Sequence, residues 1–518
     1  MPTMIQAGIS PLRRWFALVV LLFFSVTTAT EATAQPLPAV TSAATASVAE
    51  LAKEGEHGTE GESSGHNALL ELGEKLPEWT ILPFLGLLLA IAILPLVAHH
   101  WWENNVNRAI VAALFGVPVA LYLLIVWGHA GVEALLEKGI EYVSFIALLA
   151  VLFIITGGIV VEGSLAGTPL VNTIMLLIGG LLANVIGTTG SAMLIIRPLL
   201  KANVARTRKV HLVVFLIFIC ANCGGLLTPL ADPPLFLGFI NGVPFEWTLR
   251  LWREWIFVNG ILLLVFNIWD QWMLSKEEKE KPGALLEQVI EHEPLRIRGW
   301  HNIFFLIGVV LAILASGRGI GTGGEPWPFG YRELVFLALG LAAWFTTPAQ
   351  NRVKNDFTFN PIIEVAVLFA GIFVCMAPAL LILNAWGQGL RTVFGVPFGL
   401  TEPWHFFWAT GILSAFLDNA PTYLTFAATA CGLEGISLQG PYLYELIHTH
   451  GGAKLLEAIS CGAVFMGALT YIGNAPNFMV RSIAAEAGVP MPSFFGYMVY
   501  SVGILVPLFA LVTYLFLL

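Results

Sequence analysis

Twelve apolar segments follow one another from residue 78 to the last residue, 518, and they dictate the fold class. They run at about 78–98, 107–128, 140–161, 170–200, 211–240, 252–274, 301–316, 331–346, 361–385, 405–431, 455–486 and 494–518. An apolar run of about 20 residues satisfies its own backbone only as a helix when lipid surrounds it. The runs are continuous rather than alternating, which argues against a transmembrane barrel. The chain is 57% hydrophobic and 11% charged, so this many runs cannot all be hidden in one water-soluble core. The expected fold is an all-α membrane protein with about 10–11 transmembrane helices.

The N-terminus reads differently. Arg13 and Arg14 precede the short apolar run 15–26, and Ala32-Thr33-Ala34 forms a small-residue cleavage site. Residues 1–34 are expected to be a signal peptide. Residues 35–76 are rich in Ala, Thr, Ser, Gly and Glu and should form a disordered extracytoplasmic segment. The membrane part divides into a first repeat, 77–274, a cytoplasmic linker, 275–300, and a second repeat, 301–518. The five cysteines lie in or beside apolar runs, so neither a disulfide framework nor a metal role for Cys220-Ala-Asn-Cys223 is expected.

Four segments carry polar or proline breaks. Gly225-Leu-Leu-Thr228-Pro-Leu-Ala-Asp232-Pro-Pro234 matches Gly467-Ala-Leu-Thr470-Tyr-Ile-Gly-Asn474-Ala-Pro476 at a constant offset of 242. Proline removes a helical donor and glycine loosens the ladder, so each segment should unwind inside the bilayer. The other two breaks, Asn184 with Gly187-Thr188-Thr189-Gly190 and Asp418-Asn419-Ala420-Pro421-Thr422, suit the tips of re-entrant hairpins. With both hairpins turning back, the base-rich block 197–209 falls on the cytoplasmic side. The two hairpins then enter from opposite faces, as two inverted repeats require.

Facing tips and unwound helices would group Asn184, Thr188, Thr189, Asn222, Thr228 and Asp232 in one half-site. Asp418, Asn419, Thr422, Thr470, Asn474 and Asn477 would form the other. Intramembrane carboxylates are costly and therefore functional candidates. Asp232 and Asp418 could hold Na⁺, or exchange it for a proton. Glu162 and Glu364 are equally compatible with interfacial positions.

These stretches, with Ala221-Asn222-Cys223-Gly224-Gly225 and Gly473-Asn474-Ala475-Pro476-Asn477, resemble the ion transporter superfamily. That superfamily includes sodium/proton antiporters of the NhaD type, citrate carriers and arsenite pumps. The resemblance implies that hairpin tips and unwound helices form substrate and sodium sites. The tips read Ala183-Asn184-Val185 and Asp418-Asn419-Ala420 here, whereas the dicarboxylate branch has Ser-Asn-Thr.

The leading expectation is a secondary sodium (cation)/proton antiporter of the bacterial inner membrane, working by alternating access. The alternative is a sodium- or proton-coupled citrate or carboxylate symporter. An intramembrane enzyme finds little support: there is no His-Glu-x-x-His motif, and His448-Thr-His450 lacks an obvious third ligand. No cofactor is expected beyond Na⁺ as transported or coupling ion. The expected partners are the lipid bilayer and small inorganic ions or carboxylates. A basic patch for nucleic acid is absent, and a homodimer is compatible with the sequence without being required by it.

Overall fold

A computed structural model describes residues 69, 71–163, 166–280, 296–355 and 357–518. The expected signal peptide, most of the 35–76 segment and residues 281–295 of the linker lie outside the described residues.

The first half contains α1 (Leu82–Val97), α2 (Asn105–Val126) and α3 (Gly128–Thr156). Next come α4 (Pro169–Ala202), α5 (Val210–Phe218) with a π-turn at Ile219–Cys223, α6 (Pro233–Ile240) and α7 (Trp252–Glu280). The second half repeats the order: α8 (Asn302–Gly317), α9 (Tyr331–Thr346) and α10 (Asn360–Gly387), then α11 (Pro403–Phe416) and α12 (Asn419–Leu433). It closes with α13 (Gly452–Met466), α14 (Ala475–Glu486) and α15 (Phe494–Val512). Eight helices among the described residues are long and apolar enough to cross a membrane, and Val210–Cys223 and Asn302–Gly317 are shorter apolar helices.

Both hairpins turn back on themselves. α4 is helical on either side of Gly187, whose φ of 79° and ψ of 158° no helix contains. Its arms meet along their length: the Asn172 amide donates to Asn203 Oδ1 (3.1 Å), Asn203 donates back (2.8 Å), and Ser191 donates to the Gly179 carbonyl. α11 and α12 form the second hairpin, with Phe406 and Phe426 facing each other across it at 6.5 Å. A hairpin adds no net crossing. Each half therefore crosses five times, and an odd count inverts the second half relative to the first.

The unwound stretches are also present. Helix stops at Cys223 and resumes at Pro233, and stops again at Leu469 before resuming at Ala475. Asp232 and Asn474, the residues before each restart, have nearly the same extended backbone, at φ/ψ −146°/144° and −152°/140°.

Three boundaries differ from the sequence reading. Residues 71–75, expected to be disordered, are helical, because Leu69, Leu72 and Leu76 fall on one helical face and are buried. The Arg391 guanidinium holds that turn from outside by donating to the carbonyls of Gly73 (2.9 Å) and Leu76 (2.8 Å). α7 continues past 274 to Glu280 because Arg206 and Arg208 pair with Glu277 and Glu280 on its last turns. Two short antiparallel strands, β1 (Val160–Glu162) and β2 (Arg296–Arg298), form a strap between the halves.

Candidate functional site

The site forms where the four breaks meet. Asp232 is buried and precedes α6, yet its side chain does not cap that helix. Its carboxylate instead accepts from Thr188 Oγ1 (3.0 Å), Asn474 Nδ2 (3.2 Å) and Asn419 Nδ2. The three donors come from the first hairpin, the second unwound stretch and the second hairpin. Behind them, Asn474 also reaches the Ala221 carbonyl (3.1 Å) and Asn222 Oδ1 (3.3 Å). Asn222 donates to Asn477 Oδ1 (2.7 Å), and Asn477 to the carbonyls of Gly467 (2.8 Å) and Thr470 (2.9 Å).

The geometry is close to symmetric. Thr228 donates to the Asn184 carbonyl, and its counterpart Thr470 donates to the Ala415 carbonyl. Three residues beyond these carbonyls come the two hairpin breaks, Gly187 and Asp418, and then Thr188 and Asn419. The equivalent residues Thr188 and Asn419 thus hold the two oxygens of one carboxylate. Asp232 also bonds Asn474, its own repeat counterpart, and the Cys223 thiol faces the carbonyl of its counterpart Phe465 at 4.0 Å. Residues that touch their own counterparts lie at the pseudo-two-fold axis. One half supplies the charge there, and the other an amide.

Six of the twelve expected site residues therefore join one network: Thr188, Asn222, Asp232, Asn419, Asn474 and Asn477. The others take different places. Asn184 is not at the tip; its amide donates to the Gly224 carbonyl (2.8 Å) and its Oδ1 accepts from Leu227 N (2.8 Å), pinning the loop to the hairpin. Thr228, Thr470 and Thr422 spend their hydroxyls on backbone carbonyls, Thr422 on that of Asp418 four residues back (2.8 Å). Asp418 accepts from Ala420 N (3.0 Å) and so caps α12. It nevertheless lines the same cavity as Asp232, as does Thr189.

Four supporting residues went unnoticed in the sequence. Trp255 Nε1 donates to the Gly224 carbonyl (2.7 Å) and Asn259 Nδ2 to that of Cys223 (3.0 Å). Tyr497 donates to the Ala468 carbonyl (2.7 Å) and Ser501 to that of Leu469 (2.6 Å). These donors satisfy carbonyls that unwinding releases. The offset of 242 that aligns the broken motifs also pairs Trp255 with Tyr497 and Asn259 with Ser501. Following it past the motifs would have found them.

A cavity of about 470 Å³ reaches from Asp232, Asp418, Thr188 and Asn474 to Glu103, Arg108, Arg197 and Glu364. Its wall carries four carboxylates and two guanidinium groups. Arg481 is absent from that wall and stacks on Tyr471 at 4.9 Å.

Fold and site together define an all-α, multi-pass membrane protein with a polar centre at paired helix breaks. The chain belongs to the family whose description reads "Putative citrate transport", matching it over residues 73–517. That family supports a citrate transporter-like secondary transporter, and does not extend to the antiporter or arsenite branches of the resemblance. No curated protein matches the chain.

Proposed function

We propose that this protein is a secondary carrier that moves a citrate-like carboxylate together with Na⁺ or a proton. The observation that carries this reading is the cavity joining Asp232 to Arg108 and Arg197. At about 470 Å³ it has the size of small-molecule sites, far more than a bare cation needs. Its excess of carboxylates repels a lone anion. A substrate carboxylate fits beside Asp232 and Asp418 only when a cation or protons come with it, and that requirement is the coupling. Asp232 is the cation-binding residue in this reading, with amide and hydroxyl oxygens of the surrounding network as further hard ligands.

The same excess of carboxylates favours a second reading, cation/proton antiport, in which Na⁺ and a proton compete for Asp232 without any organic substrate. One experiment separates the two. In proteoliposomes, uptake of labelled citrate driven by an inward Na⁺ or proton gradient supports the symporter. Proton release on adding Na⁺, unaffected by citrate, would support the antiporter. Neither response would remove both.

A further inference from the structure

One cation in the cavity wall is built to receive something the network around Asp232 does not supply. Arg108, near the start of α2, is buried, and its Nη2 lies 3.0 Å from Glu364 Oε1 on α10. Nη1 donates to Asn105 Oδ1 (2.6 Å), and the guanidinium sits 5.9 Å from the Trp102 ring centre. Its Nε is buried without a hydrogen-bond partner. A guanidinium presents donors in a fork that matches a carboxylate, and a buried donor left unpaired is unfavourable. The two partners differ in freedom: the Arg108 side chain is 10% exposed, that of Glu364 37%.

We propose that Arg108 is the anchor for one carboxylate of the substrate, and that Glu364 occupies its place until the substrate arrives. This rests on the carboxylate reading above. The substrate carboxylate displaces the more exposed Glu364, engages the guanidinium and completes its hydrogen bonding. A polycarboxylate has further groups to place beside the cation at Asp232. Arg197, the other guanidinium in the wall, already donates to the Lys354 carbonyl (2.7 Å). The pair is not needed to hold α2 on α10. Those helices meet through small residues, so closely that a methyl group added to Gly371 would fall 2.9 Å from the Cβ of Ala112.

The test is citrate transport kinetics in proteoliposomes with Arg108→Gln, Glu364→Gln and the double variant. Arg108→Gln should raise KM for citrate about tenfold, the loss of a charge-assisted hydrogen bond, with Vmax little changed. Glu364→Gln should lower KM, since it removes the internal competitor, and the double variant should behave like Arg108→Gln. A mere clamp predicts otherwise: both single changes would lower Vmax and stability, and the double variant would recover. That pattern, or an unchanged KM in Arg108→Gln, would overturn the anchor while citrate transport by the parent protein stands. Absence of citrate transport in the parent protein would remove the carboxylate reading itself, and the anchor with it.

Discussion

Asp232 accepts from three neutral donors, and that fixes what its substitution should do. Asparagine at 232 would replace one carboxylate oxygen by an NH₂, which would face either Asn419 or the pair Thr188 and Asn474, all of them already donors there. The clash costs about 1–3 kcal/mol, the usual penalty for an unsatisfied buried group. Asp232→Asn should therefore abolish cation-coupled uptake and also lower the thermal midpoint of the purified protein. Asp418→Asn is a cleaner change, because asparagine caps a helix as well as aspartate does. Its stability should stay within about 0.5 kcal/mol of the parent's. Any loss of uptake then reports the charge alone, and full uptake would remove Asp418 from the mechanism. The sequence named both aspartates because an acid at a membrane break is conspicuous. It did not reveal that Thr188 rather than Asn184 meets Asp232. That depends on how the chain turns at Gly187, which puts residues 184 and 188 on opposite arms of the hairpin. Arg108 and Glu364 were equally opaque, since their pairing joins helices far apart in the chain.

At the scale of elements, the first hairpin turns at a conformation reserved for glycine. Gly187, at φ 79° and ψ 158°, lies where a side chain costs about 1–3 kcal/mol. Gly187→Ala should lower the thermal midpoint and weaken coupling by displacing Thr188, whose backbone N–H also holds the Ala231 carbonyl at 2.8 Å. Gly260→Ala is the control. It lies within α7 with open space around it, and there alanine should stabilise the helix slightly. Equal effects at both positions would contradict the role given to the turn. The strap of β1 and β2 makes a different prediction. Lys354 first and Arg298 second hold the Glu162 carboxyl below the usual carboxylate range. A lowered carboxyl contributes fully above its unfolded value of about 4.3 and is lost only as pH falls through the lower folded value. The strap is therefore constant from pH 5 upward. Glu162→Gln should leave the pH profile of uptake between pH 5 and 9 unchanged, and a shifted profile would place Glu162 in the proton path. Helices and breaks were legible because apolar length, proline and glycine act locally. The strap was not, because strands of three residues have no pattern without their distant partner.

For the whole molecule, the cavity fixes a direction. Five crossings in each half put the termini of α1, α3 and α4 that border Arg108, Arg197 and Lys354 on one face. That face carries the base-rich block 197–209, expected on the cytoplasmic side from its charge. The cavity reaches Asp232 from the same side, so on that orientation the conformation faces inward. Alternating access then requires a second conformation in which the site is reached from the opposite face. The five native cysteines are buried, which leaves a quiet background for thiol labelling. Thr189→Cys places one thiol in the cavity wall, outside the hydrogen-bonded network. In inside-out vesicles a membrane-impermeant maleimide should react with it readily, and in right-side-out vesicles slowly or not at all. Adding citrate with Na⁺ should slow the reaction from the inner side, because both would occupy the space the reagent needs. Rapid labelling from the outer face alone would reverse the orientation assigned from charge. Equal labelling from both faces would mean that an outward-facing conformation is populated as well as the inward-facing one, and would overturn the single inward-facing state assigned to the cavity.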